Sequence, residues 1–63
     1  MSVAENVCKL RTENGMTQQE LADKVGVSRQ MIGQIERGSR TPSIVLGRDI
    51  AAALGVGVAE LLK

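Results

Sequence analysis

The chain has 63 residues, a net charge of +1, no histidine, one cysteine and no phenylalanine, tyrosine or tryptophan. That length makes one domain, residues 1–63, which buries only about 60% of the surface its unfolded form exposes. The composition excludes an internal disulfide, leaves a metal site without its usual Cys/His cluster and leaves an enzyme without a histidine base, so neither catalysis nor a cofactor is expected.

A first helix is predicted from Ser2 to Asn14. Ser2 and Glu5 have capping-box spacing, Asn14-Gly15 is a stop signal, and Val3, Val7 and Leu10 recur at helical spacing, with Met16 just beyond. A second helix starts at Thr17. The Thr17 hydroxyl takes the Glu20 amide while Glu20 reaches back, a device worth roughly 1 kcal/mol. Gly26 ends this helix by entering the left-handed region cheaply. Ser28 opens a third helix that runs toward Gly38. Leu21, Ala22 and Val25 share one face of the second helix, Ile32 and Ile35 one face of the third. Two short helices with inward apolar faces and a glycine-containing turn have the layout of a helix-turn-helix. Gly38 to Pro42 form a turn. Pro42 and Ser43 launch a fourth helix, Ser43 to Leu54, with Leu46, Ile50, Ala53 and Leu54 as its stripe and Gly55 at its end. A fifth, Val58 to Leu62, carries apolar Val58, Leu61 and Leu62. The expectation is all-α: a compact five-helix bundle. No apolar run approaches the roughly 18 residues of a membrane span, and the first residues lack a secretory signal. With the lone Cys8, read as a small apolar filler, this points to the cytoplasm.

Charge is unevenly spread. Between Lys24 and Arg48, the basic residues Lys24, Arg29, Arg37, Arg40 and Arg48 stand against Glu36 alone, a local charge of +4. One basic side on a nearly neutral protein suits a polyanion. The outer face of the third helix carries Arg29, Gln30 and Gln34. Arginine pairs with guanine O6 and N7, and glutamine with adenine N6 and N7, in a DNA major groove.

The stretches TQQELADKVGVSRQMIGQIERG, TPS and IAAALGV followed by ELL carry a resemblance that runs from Leu10 to Leu62. The chain resembles the phage repressor and Cro type helix-turn-helix family, often called the XRE family. The resemblance implies a lambda-repressor-like fold, with the third helix in the major groove and the second across the backbone. It implies that Gln18 bonds a phosphate and steadies a base-reading residue. Ser28, Arg29, Gln30 and Gln34 fall at base-reading positions, and Arg40, Thr41 and Ser43 in a phosphate-touching loop. Arg37 extends the basic side. Arg11 and Glu36 fall where close relatives form a partly buried ion pair. Whether Arg29 meets a base or a phosphate stays open, as does a pairing with Asp23.

Some positions depart from the family pattern. Gly33, in the middle of the third helix, costs about 1 kcal/mol relative to alanine. Either its missing side chain lets the helix press onto a base pair or a thymine methyl, or nothing is needed there. Met31 either packs on thymine methyls or folds back onto the domain. Gly57 stands in for a capping serine or threonine at little cost. The expected function is a transcription regulator that binds double-stranded DNA at a palindromic operator as a homodimer. Its dimer contacts are expected at Val56, Val58 and Leu62. With no separate sensor domain after Leu62, ligand control within the chain is not expected. The alternative is an antitoxin or adaptor module that binds a partner protein, with DNA binding secondary.

Overall fold

The computed structural model describes residues 2–63. Five helices follow in order: α1 (Val3–Glu13), α2 (Gln18–Val25), α3 (Arg29–Glu36), α4 (Ile44–Ala53) and α5 (Val58–Leu62). No strand occurs among the described residues. The predicted helices are all present, and their ends are set by the caps. Ser2 and Thr17 each complete a capping box, accepting from the Glu5 and Glu20 amides at 3.1 and 3.0 Å. Ser28 and Ser43 cap α3 and α4 through the Met31 and Leu46 amides. At the turn between α2 and α3, Gly26 takes φ +74°, a left-handed conformation that side chains resist. The Val27 amide then closes the turn on the Ala22 carbonyl at 3.0 Å.

Helix α3 packs against α1 and α2, α2 also against α4, and α5 against α4 and α1. Their shared centre is fully apolar: Val7, Leu21, Ala22, Ile32, Ile35, Ile50, Ala51, Leu54 and Leu61. Val3, Leu10, Met16, Val25, Val27, Leu46, Ala53 and Val56 pack around it, half-buried. Met31 does the same, so it folds back onto the domain. Ala51 is a core member that the four-residue α4 stripe omits.

Two polar features hold the layers together. The Asn6 side chain is 5% exposed, and its amide nitrogen donates to the Leu61 carbonyl at 2.9 Å. The last carbonyls of a helix have no partner inside it, so Asn6 serves α5 from α1. The Arg11–Glu36 ion pair is present, with side chains 12% and 6% exposed and Arg11 Nε 2.6 Å from Glu36 Oε2. Arg11 also donates to the Met16 carbonyl at 2.7 Å, binding the α1–α2 loop to the pair. Cys8 lies beside this pair, with Arg11 Nη2 3.9 Å from its sulfur, and not in the apolar core.

Candidate nucleic-acid interface

Helix α3 is held from beneath by Ile32 and Ile35, so the opposite face is left to solvent. At its first turn Ser28, Arg29 and Gln30 are exposed, and Gln34 follows one turn later, half-buried. Asp23 accepts from the Gln19 amide at 2.8 Å and makes no ion pair with Arg29. Among the described residues the ion pairs are Arg11–Glu36 and Lys63–Glu60. Lys24, Arg29, Arg37, Arg40 and Arg48 therefore stand without an acidic partner. Glu36, the lone acid in this basic span, is turned inward and neutralised by Arg11. These cations are left to an outside anion, while Glu36 already has its counter-charge in Arg11.

The serines expected at the interface have a structural duty first. Ser28 Oγ takes the Met31 amide and Ser43 Oγ takes the Leu46 amide, both at 3.1 Å. Their hydroxyl hydrogens remain available to an outside acceptor. Arg40, Thr41 and Ser43 lie exposed in the loop between α3 and α4.

Gln18 is half-buried at the first position of α2, and its amide nitrogen donates to Glu36 Oε1 at 3.1 Å. Its amide is thus oriented by an acidic side chain of α3. Burial disfavours the Glu36 carboxylate, but hydrogen bonds from Arg11 and Gln18 and the Arg11 charge outweigh it and hold its pKa low. An ionised carboxylate only accepts, so it selects the nitrogen end of the Gln18 amide. Gly33 is buried: a methyl built there would come 3.1 Å from Arg37 Nη1. The Arg37 guanidinium thus covers the glycine for which the sequence left two readings open, close approach to a base or no need of a side chain.

A second surface lies away from α3. Ile44 is 82% and Leu62 68% exposed, with Val45 and Val58 also in solvent. Val3, Pro42, Ile44, Val58 and Leu62 line an apolar groove of about 180 Å3. Of the residues expected at a dimer contact, Val58 and Leu62 are exposed beside this groove, while Val56 is half-buried against the core. Sequence reading missed Ile44 and Val45. The signal was available: at about 100° per residue, Ile44 stands roughly opposite the inward Leu46.

A reading helix presented on a basic face, braced by a second helix across a glycine turn, defines a helix-turn-helix protein. The Helix-turn-helix family model matches residues 9–61, and the chain belongs to this family. It is 40% identical over 60 residues to the uncharacterized HTH-type transcriptional regulator y4dJ of Sinorhizobium fredii, covering 95% of this chain and 78% of that one. The matches to two other curated relatives span 65% and 43% of those proteins. Among solved structures, the biofilm-formation regulator SinR in complex with DNA superposes with a TM-score of 0.90 at 34% identity, covering 97% of this chain and 98% of the chain in that complex. The phage P22 c2 repressor in complex with a synthetic operator superposes with a TM-score of 0.94 at 28% identity, covering 100% and 96%. The phage-repressor type that the sequence resembles is the type it matches.

Proposed function

We propose that this protein is a DNA-binding transcription regulator that binds a palindromic operator as a homodimer and acts in the cytoplasm by binding, not by catalysis. Helix α3 enters the major groove. Arg29, Gln30 and Gln34 read base edges, with Ser28 at the rim. Gln18, Arg37, Arg40, Thr41 and Ser43 contact phosphates, which set register without carrying sequence information. The observation that carries this reading is the unpaired Arg29 at the exposed first turn of α3. Likeness to two DNA-bound regulators supports it.

The dimer half of the proposal rests on the exposed Ile44, Val58 and Leu62, an apolar patch of the kind that marks association sites. One copy offers few base contacts. Two-fold pairing doubles them and sets half-sites about one helical turn apart. The same patch would suit a partner protein under the antitoxin or adaptor reading.

The test is selection of bound sequences from a random duplex pool at two salt concentrations. Enrichment of a palindrome with half-sites about 10 base pairs apart supports the proposal. No enriched motif, with weak binding that vanishes as salt rises, leaves only nonspecific affinity and moves the function to the partner-binding reading.

A further inference from the structure

The central glycine of a reading helix needs a reason, because Gly33 weakens α3 and yet does not face open groove. Its Cα is buried, and the atoms above it belong to the protein. An ideal methyl there would lie 3.1 Å from Arg37 Nη1, 3.9 Å from Arg37 Cζ and 4.0 Å from Gln18 Oε1. The first distance is too short for an undisturbed contact. Arg37 follows Glu36 at the end of α3, one turn after Gly33. Its side chain therefore runs back along the helix and lays its guanidinium on the bare glycine.

What lies beside that seat is ordered. Arg11 donates twice to Glu36, from Nε at 2.6 Å and Nη2 at 3.1 Å. Glu36 in turn takes the Gln18 amide nitrogen at 3.1 Å. The amide nitrogen being spent on Glu36, the Gln18 carbonyl oxygen is the end turned toward Gly33, 4.0 Å from where a methyl there would lie. At this corner α2 begins, and its capping box uses the Glu20 amide. The amides of Gln18 and Gln19 are left for an outside acceptor, with the positive end of the helix dipole behind them.

We propose that Gly33 is a positioning residue whose bare Cα seats the Arg37 guanidinium beside Gln18, making one pre-formed phosphate clamp where α2 and α3 meet. The inference rests on the DNA-binding reading and deepens it. Arg37 is the contacting group, Gly33 acts through it, and Glu36 orients Gln18 within the clamp. Pre-placing a long arginine spares the cost of immobilising it on binding, which offsets the helix propensity that glycine gives up.

The experiment is a double-mutant cycle on Gly33→Ala and Arg37→Ala. Binding of the selected duplex and of a random-sequence duplex of equal length is followed by fluorescence anisotropy across salt. Arg37→Ala is expected to weaken both duplexes about ten-fold or more and to lower the salt slope by about one. Gly33→Ala is expected to raise Tm by a few degrees, yet weaken both duplexes by roughly five-fold, within the range of couplings between touching residues. In the Arg37→Ala background, Gly33→Ala is expected to change affinity by less than about two-fold. Equal losses from Gly33→Ala in both backgrounds overturn the proposal, because the methyl then clashes with DNA directly. An unchanged affinity in Gly33→Ala overturns it as well. Wild-type protein with no salt-dependent duplex binding overturns the DNA reading itself, whereas salt-dependent binding with an additive cycle overturns only the clamp.

Discussion

Glu36 sets how much of the basic charge is left to an outside anion. Placed outward, it would cancel one of the five positive charges between Lys24 and Arg48. Placed inward, it accepts from Arg11 and Gln18 and leaves the cations alone. Its side chain is 6% exposed, and the hydrogen bonds and charge that hold its carboxyl ionised prevail over the opposing effect of burial, so its pKa lies below the ordinary 4.5. A group whose folded pKa is depressed stabilises the fold fully above its unfolded pKa. That contribution is lost as pH falls through the folded value. Thermal melts are therefore expected to show Tm dropping on acidification from about pH 5. Glu36→Gln is expected to start from a lower Tm at neutral pH and to show a shallower acid limb. The limb persists in part, because the Glu5 and Glu20 carboxyls are also lowered by their cap bonds. An acid limb of unchanged steepness in Glu36→Gln would mean that the carboxyl is not held ionised by the fold.

At the scale of elements, each helix depends on a neighbour for something it cannot supply itself. α5 has five residues, too few to be stable alone. Leu61 anchors it in the core and Asn6 takes up its terminal carbonyl. Asn6→Ala leaves that buried carbonyl without a donor and is expected to cost about 1–3 kcal/mol, read as a shift in the urea midpoint at constant m-value. Asn6→Asp, which turns an acceptor on an acceptor, is expected to cost more; equal or smaller losses would show α5 held by apolar packing alone. α3 depends on α2 in the same way, and its exposed first turn is free for recognition because its other face is fully used. Arg29→Ala is expected to cost about 1–3 kcal/mol of operator binding. Relaxed discrimination at one base pair assigns Arg29 to a base edge. Equal weakening across all sequences, with a salt slope lower by about one, assigns it to a phosphate.

For the molecule as a whole, function is divided between two faces. The α3 side is basic and polar. The side made by α1, the start of α4 and α5 is apolar, with Ile44 and Leu62 largely in solvent. A domain of this size gains little from exposing leucine and isoleucine unless something covers them. Leu62→Glu is expected to leave the helical circular dichroism unchanged, to shift sedimentation to the monomer, and to weaken binding to a two-half-site operator far more than to a single half-site. Retention of a dimer in this variant would move the self-contact elsewhere.

The helices and the reading head were legible because their signals are local. Ser2, Thr17 and Ser28 cap within three residues, Gly26 stops α2 at its own position, and the apolar spacing assigns an inner face to each helix. The basic span and the candidate contacts Arg29, Gln30 and Gln34 could likewise be read along the chain, whereas Gln18 came with the family resemblance. The partnering of Glu36 came only with the family resemblance, since nothing local ties it to Arg11, 25 positions earlier. Other features had no signal at all: the burial of Asn6 under a carbonyl 55 positions away, the amide of Gln18 turned to Glu36, and the guanidinium seated on Gly33. The same holds for Ile44 and Leu62 sharing one groove. Local hydrogen bonds and helical periodicity thus suffice to determine the elements and the class of protein. Which charge is buried, which arginine lies over Gly33 and which apolar residues share a groove depend on how the helices cross, and only the tertiary structure decides that.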